Sequence, residues 1–324
     1  MVVPETHAAA ARYTPSSRLA LFLAQWRLRS TSAAQRVRFH SLARGFDDLY
    51  RRLARFDVDP YITPLWTAFN LRLESSLLPR PRFAFLRDAT IRKTMFVDAR
   101  GPWLASQAEY LLSRVQADVL EEVLADPPAG SPPLAWARFG ASHNSVHHLS
   151  HLERYRDRTS HDPVSSPTVV EWGGGYGNLA RIFILLAQAR RRPLPTYTII
   201  DTPLLCCLQW LYLSTVFGAP RVHVISAIDG DLRPGCINIV PVGLLSHFRP
   251  RAELFISTWA LSESSAHAQN EVAGHWFGAR RLLLAFQESS EDLPDAGRIR
   301  GLAESAGAAT TPVPELDRNQ YAFR

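Results

Sequence analysis

The stretch that decides the fold is Thr168-Val-Val-Glu-Trp-Gly-Gly-Gly-Tyr-Gly-Asn-Leu-Ala-Arg181. An apolar, β-branched run leads into an acid, then into a glycine-rich turn, and then into a sequence with helical periodicity. Glycines at such a turn let the backbone bend tightly and approach a ligand without an obstructing Cβ atom. The start of the following helix adds unpaired N–H groups and the positive end of the helix dipole. This order predicts a strand–loop–helix unit that binds a cofactor at the carboxyl edge of an α/β sheet.

Short apolar runs alternate with helical stretches from about residue 165 to the end of the chain. This alternation predicts an α/β fold with βαβ units and a mostly parallel sheet covered on both faces. The predicted strands are 168–172, 197–200, 222–225, 237–242, 254–258, 282–286 and 320–323, and the predicted helices are 179–189, 204–217, 266–277 and 296–305. Pro312 and Pro314 precede the final strand, and the last two strands are predicted to form an antiparallel hairpin at the sheet edge.

The first part of the chain has helical periodicity instead. Apolar residues recur at helical spacing over 17–29, 37–56 and 105–124, which predicts three helices. Between them, 60–98 is rich in proline and is predicted to be irregular, with a short extended piece at 82–86. The sequence therefore predicts a helical N-terminal part, followed by the α/β part after a boundary near 130–165.

Two cofactors compete for the glycine loop. Gly175-Tyr-Gly-Asn-Leu-Ala180 fits the dinucleotide pattern G-x-G-x-x-G/A, and Asp201 follows at about the right distance for a ribose. The alternative pattern is Glu171-x-Gly173-x-Gly175-x-Gly177, with the acid two residues before the first glycine. An acid there suits the cationic amino group of S-adenosylmethionine and repels a pyrophosphate, whereas Asp201 can accept hydrogen bonds from ribose hydroxyls in both cases. Glu171 favours the methyl donor, and a glycine turn without a ligand is the third interpretation.

Residues 168–263 resemble the class I S-adenosylmethionine-dependent methyltransferases, and most closely the sugar O-methyltransferases of bacterial biosynthetic clusters. The matching segments are Glu171-Trp-Gly-Gly-Gly-Tyr-Gly177, Ile200-Asp-Thr-Pro203 with its following helix, and Leu254-Phe-Ile-Ser-Thr-Trp-Ala-Leu-Ser-Glu263. The resemblance covers about the last half of the chain. It implies a Rossmann-like sheet of seven strands with the last strand antiparallel, and S-adenosyl-L-methionine as cofactor. It also implies O-methylation of a sugar or another small secondary metabolite.

The resemblance implies different roles for the two parts of the chain. Residues 1–150 would form a helical region that covers the substrate or mediates dimerisation, and residues 151–324 would bind the methyl donor. Many relatives place an acid after the third core strand to contact the adenine. Here the segment Ile237 to Gly243 offers only backbone groups and Leu244, and Ser226 is the alternative contact. The predicted cofactor-binding residues are Glu171, Gly173, Gly175, Tyr176, Gly177, Asn178, Asp201 and Ser226.

The base for methyl transfer is predicted to follow the fourth core strand. Methyl transfer is an in-line displacement, and the enzyme must position the acceptor and remove a proton from an alcohol. His267 has the more suitable intrinsic pKa for this role, whereas Glu263 lies in the part that resembles the family. Both stay candidates. The structural alternative for Glu263 is an acid at a helix N-terminus after Ser262, which stabilises by capping and dipole alone.

A histidine-rich segment, Ser142-His-Asn-Ser-Val-His-His-Leu-Ser-His151, precedes the α/β part. If it is helical, His147 and His151 share one face and form half of a candidate metal site. No acid completes that site, so no metal is predicted. Surface or inter-domain histidines are the simpler interpretation. In a third interpretation the segment folds over the cofactor and supplies His147, His148 or Arg154 to the substrate or to a carboxylate.

Composition narrows the class of partner. The 324 residues carry a net charge of +6, with arginines spread along the chain, and the pattern lacks the dense basic face of a nucleic-acid-binding protein. No apolar run is long enough to span a bilayer, and no signal peptide is recognisable. The Arg- and Ala-rich first forty residues fit a basic helical face better than a transit peptide. Three cysteines without a CxxC pair indicate a reduced, cytoplasmic setting.

The sequence thus predicts a cytoplasmic methyltransferase for a small-molecule acceptor, without a nucleic-acid or membrane partner, and leaves a homodimer open. Two rivals follow from the same residues. The chain could be an NAD-dependent oxidoreductase that uses the overlapping dinucleotide pattern. It could also be a methyltransferase-like protein that binds a ligand without catalysis.

Overall fold

The computed structural model describes residues 13–95 and 103–324, and its centre is an eight-stranded sheet. Residues 1–12 of the basic N-terminal stretch and residues 96–98 of the predicted irregular segment lie outside the described ranges. The strands of the sheet follow the small hairpin of β1 (Leu134–Trp136) and β2 (Ala141–Ser142). They are β3 (Thr168–Trp172), β4 (Thr196–Asp201), β5 (Val222–Val224), β6 (Ile237–Pro241), β7 (Leu254–Thr258), β8 (Arg281–Gln287), β9 (Ala309–Pro312) and β10 (Asn319–Phe323).

The spatial order of these strands is β5-β6-β4-β3-β7-β8-β10-β9. The strands from β5 to β8 in this order run parallel, and β10 runs antiparallel to both β8 and β9. Strand β3 lies where the chain order switches direction, between β4 and β7, and such a switch point opens a crevice at the carboxyl ends. The predicted Rossmann-like sheet, mostly parallel with an antiparallel last strand and preceded by N-terminal helices, is confirmed.

Two edge strands change the predicted outline. β5 was predicted as a strand, but it is additional to the seven-stranded sheet that the resemblance implies. It pairs only with β6, and β6 is the strand that lies next to β4. β9 was not predicted, and it forms the opposite edge by pairing with β10, so the last strand of the chain is not at the edge. The short β9 sequence, Ala-Thr-Thr-Pro, is largely exposed and has no apolar alternation. A strand of this kind leaves little sequence signal, because an edge tolerates proline and needs no buried face.

Helices cover both faces of the sheet. α8 (His143–Thr159), α9 (Asn178–Ala189) and α10 (Pro203–Phe217) pack on one face, where Val169 and Ile199 belong to the core. α11 (Ala266–His275) and α12 (Arg298–Ser305) pack on the other face, where Val170 and Ile200 are buried. Neighbouring residues of one strand thus enter different cores, as the two-residue period of a strand requires.

The N-terminal region is more helical than predicted. Its helices are α1 (Arg18–Ser30), α2 (Ala33–Ala43), α3 (Phe46–Leu53), α4 (Pro64–Leu77), α5 (Ala89–Thr94), α6 (Trp103–Arg114) and α7 (Ala117–Leu124). The predicted helices 37–56 and 105–124 are each divided into two. The prediction that 60–98 is irregular was wrong, since α4 and α5 lie there, and 85–87 is a 3-10 turn rather than an extended piece. Pro64 misled the prediction because the first turn of a helix accepts proline.

Helix α8 joins the N-terminal region to the sheet. It packs against α6 on one side and α9 on the other, and its histidines 143, 147 and 151 are buried. Position 150, the predicted division of the chain, falls inside this helix, and the division into two units stays a prediction. Within the described ranges, no helix has both the length and the apolar character needed to cross a membrane.

Candidate functional site

A cleft opens at the carboxyl ends of β3, β4 and β7. It encloses about 1060 Å³, including its open mouth. Its walls come from the glycine loop, from α8 and from the segments around α4 and α5. The lining residues are Tyr61, Ile62, Trp66, Thr94, Met95, Asn144, His147, His148, Glu171, Trp172, Gly173, Gly174, Gly175, Tyr176, Ile200, Asp201, Thr202, Leu205, Val242, Thr258, Trp259, Ala260, Glu263 and Ser264.

The glycine loop has a backbone that only glycine adopts without strain. Gly173 has a φ of +75°, and a Cβ atom added to it would lie 2.0 Å from the Cβ of Ala260. Gly175 has a φ of +56° and borders the cleft, with no atom closer than 3.8 Å to an added Cβ. Gly173 therefore lets the glycine loop touch the segment of Ala260, whereas Gly175 keeps the loop backbone open to a ligand.

Glu171 ends β3 with its side chain in the cleft wall. The residue is 2% exposed, and the hydroxyl of Tyr197 donates a hydrogen bond to its Oε2 over 2.9 Å. Burial raises the pKa of Glu171 to about 8, although the hydrogen bond from Tyr197 opposes this rise. No Arg or Lys of the described chain forms an ion pair with it. This carboxyl group therefore has a strong preference for a cationic or hydrogen-bond-donating ligand.

Asp201 ends the neighbouring strand β4. Its Oδ1 accepts the backbone N–H of Thr202 over 2.8 Å, and its Oδ2 accepts Nε2 of Gln209 over 2.7 Å. Burial raises the pKa of Asp201 to about 7, against the lowering effect of these hydrogen bonds and of N–H groups in the glycine loop. The hydroxyl of Thr202 beside it is buried and has no partner among the described residues. Both side chains thus offer hydrogen-bonding capacity to a ligand.

The charge of the cleft is unusual for this arginine-rich chain. Three carboxyl groups line it, on Glu171, Asp201 and Glu263, and no Arg or Lys of the described residues does. Elsewhere, buried carboxylates have arginine partners, namely Asp126 with Arg181, Glu153 with Arg190 and Glu315 with Arg154. A pyrophosphate would meet three carboxyl groups and no Arg or Lys of the described residues here, which disfavours a dinucleotide.

The side of the cleft away from the glycine loop is aromatic and acidic. Trp66 on α4 donates its indole N–H to Oε2 of Glu263 over 3.0 Å. Burial raises the pKa of Glu263, and the hydrogen bond from Trp66 opposes this rise. Trp259, directly after β7, has a φ of +66°, which is rare for a bulky residue. Its ring stacks on His147 with centroids 5.4 Å apart. Strained backbone of this kind is concentrated at functional sites.

The histidines of α8 lie behind and inside this cleft, so they are not surface residues, and the alternative of inter-domain histidines stays a prediction. His147 and His148 line the cleft, whereas His143 and His151 are buried beside them. Burial, followed by neighbouring positive charge, lowers the pKa of His148 to about 3, and burial lowers that of His143 to about 4. These rings are neutral near pH 7. No group of three metal-ligating side chains is present in the described part of the chain.

The structure brings most of the predicted site residues together. Glu171, Gly173, Gly175, Tyr176, Asp201 and Glu263 line the cleft, whereas Gly177 and Asn178 lie just beyond it, at the start of α9. His147 and His148 of the histidine-rich segment also line it, as does Trp172 of the matching segment Glu171–Gly177. Trp66 and Met95 were missed, because α4 and α5 carry no motif that marks them. Trp259 lies in the matching segment Leu254–Glu263 but had been given no role of its own.

Two predicted residues require correction. Ser226 is exposed and does not line the cleft, because β5 is the extra edge strand and its carboxyl end lies two strands away from β4. Val242, after β6, borders the cleft instead. His267 also lies outside, with a side chain 60% exposed and directed at Glu271 across 3.5 Å. Only Ser265 and Ala266 separate it from Ser264, which lines the cleft, and its ring packs on the outer side of the cleft residue Tyr61 with centroids 5.5 Å apart.

No protein-family model and no curated protein matches the chain. Solved structures resemble it at low identity. Magnesium protoporphyrin IX methyltransferase from Synechocystis, with bound S-adenosylmethionine, is 12% identical, covers 75% of this chain and 94% of its own, and has a TM-score of 0.37. The mitomycin 7-O-methyltransferase MmcR is 13% identical, covers 79% and 70%, and has a TM-score of 0.36. PigF with S-adenosylhomocysteine is 13% identical, covers 80% and 69%, and has a TM-score of 0.35. The fold assignment rests on strand order and direction.

Proposed function

We propose that the chain is an S-adenosylmethionine-dependent methyltransferase (EC 2.1.1) that methylates a hydroxyl group of a sugar or another small secondary metabolite. One observation carries this proposal. Glu171 and Asp201 end two neighbouring strands, face one cleft across a glycine loop, and have no cationic partner among the described residues. This acidic edge favours a cationic nucleoside ligand over an anionic dinucleotide.

The residues present fit the methyl donor. Glu171 is suited to the amino group of the methionine portion, and Asp201 to the ribose hydroxyls. Thr202 and Val242 border the region beyond Asp201, where the adenine would be held by apolar and backbone contacts. When bound, the donor supplies a methyl group that is already activated by its sulfonium centre. The protein therefore has to position the acceptor and accept its proton.

Glu263 is the residue best placed to accept that proton. Its carboxyl group lines the cleft, the indole of Trp66 holds one oxygen, and burial raises its pKa and so strengthens it as a base. The acceptor oxygen would lose its proton to Glu263 as it forms the new bond to the methyl carbon, and the bond from that carbon to sulfur breaks.

The aromatic wall supports a sugar-like acceptor. Tyr61, Trp66 and Trp259 present apolar faces beside the Glu263 carboxyl group. Such a combination suits a small molecule with an apolar face and several hydroxyl groups. The aromatic rings would provide apolar contact area, and the carboxyl group would orient the hydroxyl groups. A phosphorylated acceptor would meet carboxylates and no Arg or Lys of the described lining.

Calorimetric titration with S-adenosylmethionine, S-adenosylhomocysteine and NAD tests the proposal. We expect the wild type to bind both adenosyl compounds with micromolar affinity, and Asp201→Ala to weaken this binding about 10- to 100-fold, the range for hydrogen bonds to a charged group. Asp229→Ala, which alters an exposed acid, is the matched control. Selective binding of NAD would favour the oxidoreductase instead, and adenosyl binding without turnover on any acceptor would favour a non-catalytic protein.

A further inference from the structure

His148 is a cleft residue whose proton position is fixed by the residues behind it. Arg181 on α9 is buried and forms an ion pair with Asp126 over 3.0 Å. Its Nε also donates to Oδ1 of Asn178 over 2.9 Å. An amide whose oxygen accepts from an arginine must point its NH₂ group the other way. That group, Nδ2 of Asn178, lies 3.0 Å from Nδ1 of His148.

The consequence is a single tautomer of the imidazole. Because Asn178 donates to Nδ1, that nitrogen must be the acceptor, and in a neutral ring the proton is then on Nε2. The ring is neutral because it is buried and because the Arg181 guanidinium lies nearby, and these two effects lower its pKa to about 3. His148 therefore presents an N–H donor to the cleft, and it cannot act there as a base.

The methyl donor contains one group that needs such a donor. Its methionine portion ends in a carboxylate, and the cleft has no Arg or Lys among its described residues to bind one. Asn144 also lines the cleft, but its Nδ2 already donates to the carbonyl of Met95 and to the hydroxyl of Tyr176. Asn178, which holds His148, is the first residue of α9, so the ring lies beside a helix N-terminus that favours an anion.

Resting on the proposed function, we propose that Nε2–H of His148 binds the carboxylate of the methionine portion of the methyl donor. The relay from Asp126 through Arg181 and Asn178 holds the ring in the donating tautomer. The chain thereby uses a neutral donor, backed by a buried arginine that does not itself line the cleft. A cation inside the cleft would repel the sulfonium and the amino group, and a neutral imidazole does not.

The test compares two ligands that differ only in the carboxylate. S-Adenosylhomocysteine carries it, and 5′-deoxy-5′-(3-aminopropylthio)adenosine has a hydrogen in its place. Calorimetry should show that His148→Ala weakens S-adenosylhomocysteine about 10- to 100-fold and the decarboxylated compound by less than threefold. His148→Gln keeps a neutral N–H donor of similar reach and should recover a large part of the affinity. His247→Ala, at an exposed histidine, is the control.

Equal losses for the two ligands in His148→Ala would overturn the inference, since His148 would then only shape the cleft. Failure of His148→Gln to bind better than His148→Ala would also count against it. If the wild type binds neither ligand, the proposed function fails first and the inference fails with it. If the wild type binds both ligands equally, only the inference fails.

Discussion

The hydroxyl of Tyr197 donates a 2.9 Å hydrogen bond to Glu171, across the neighbouring strands β3 and β4. This pair sits beneath the glycine loop, and Tyr197 is fully buried. Burial raises the pKa of Glu171 to about 8, and the hydrogen bond limits that rise. We therefore expect the protonation state of this buried carboxyl group to be linked to ligand binding and to stability.

Binding of S-adenosylmethionine should release protons below pH 7. In the free protein the pKa of Glu171 is raised to about 8, so its carboxyl group is mostly protonated there, and a cationic amino group favours the ionised form. Affinity should rise between pH 5.5 and 7, a range below the titration of the ligand amine at about 7.7–8.0. Titration heats in buffers with different ionisation enthalpies give the number of protons released. Equal heats in all buffers would contradict the prediction, and Glu171→Gln is the control without the titrating group.

Tyr197→Phe should shift that pH dependence upward. The phenylalanine fills nearly the same space and keeps the edge contact with Phe183, whose ring centroid is 5.2 Å away. It removes the hydrogen bond that lowers the pKa of Glu171. Affinity for S-adenosylmethionine should therefore reach its plateau at a higher pH than in the wild type. An unchanged profile in the variant would show that Glu171 is not the group that titrates.

The contribution of Glu171 to the stability of the ligand-free protein should fall as the pH rises from about 5 to 8. The folded-state pKa of Glu171 is raised above its unfolded value of about 4.3, so its contribution is complete below that value and is lost as the pH passes about 8. Glu171→Gln removes this contribution. The free energy of unfolding of the variant, relative to that of the wild type, should therefore be higher at pH 8 than at pH 5. Urea unfolding at the two pH values measures the difference. A wild-type and variant pair that respond equally to pH would refute it.

Glu263→Gln should lower kcat about 10²- to 10⁴-fold, the usual contribution of a general base. Its affinity for S-adenosylhomocysteine should stay within about twofold, because the amide can still accept the indole N–H of Trp66. His267→Asn, which alters a side chain outside the cleft, should leave kcat nearly unchanged. Release of S-adenosylhomocysteine in the presence of the best acceptor from a panel of sugars is the measurement. The opposite ranking of the two variants would restore His267 as the base.

Gly173→Ala should destabilise the protein more than Gly140→Ala. Both glycines have positive φ, at +75° and +60°, so each alanine incurs the left-handed penalty of about 1–2 kcal/mol. Only at Gly173 would the added Cβ also collide with Ala260, at 2.0 Å, whereas nothing lies within 4 Å at Gly140. Chemical denaturation compares the two, and calorimetry should show that only the first variant loses ligand binding. Equal destabilisation would mean that the loop relaxes around the new methyl group.

The sequence predicted the α/β half well because its signals are local. The strands 168–172 and 254–258 were predicted with the observed bounds, since each is a short apolar run between turn residues. The acid of β3 and the acid of β4 were predicted as partners from their order in the chain. Parallel strands bring their carboxyl ends to one edge, so this juxtaposition needs no three-dimensional information beyond the fold class.

The N-terminal contributions could not be predicted in this way. Trp66 reaches the cleft from α4, which packs against α5 and α10, and its partner Glu263 is 197 residues further along the chain. Ser226 and His267 were misplaced for a related reason. Ser226 follows the extra edge strand β5 and so lies away from the cofactor region. His267 lies on the side of α11 that faces solvent.

The sequence alone determined the class of fold and the acid–glycine–acid edge, because both follow from short periodic patterns and from the chain order of neighbouring strands. Only the tertiary structure decided which side chains complete the cleft, the protonation of Glu171 and the tautomer of His148. These depend on burial and on hydrogen bonds between segments far apart in the chain. Desolvation and hydrogen-bond geometry are properties of the packed molecule, and no local pattern of residues records them.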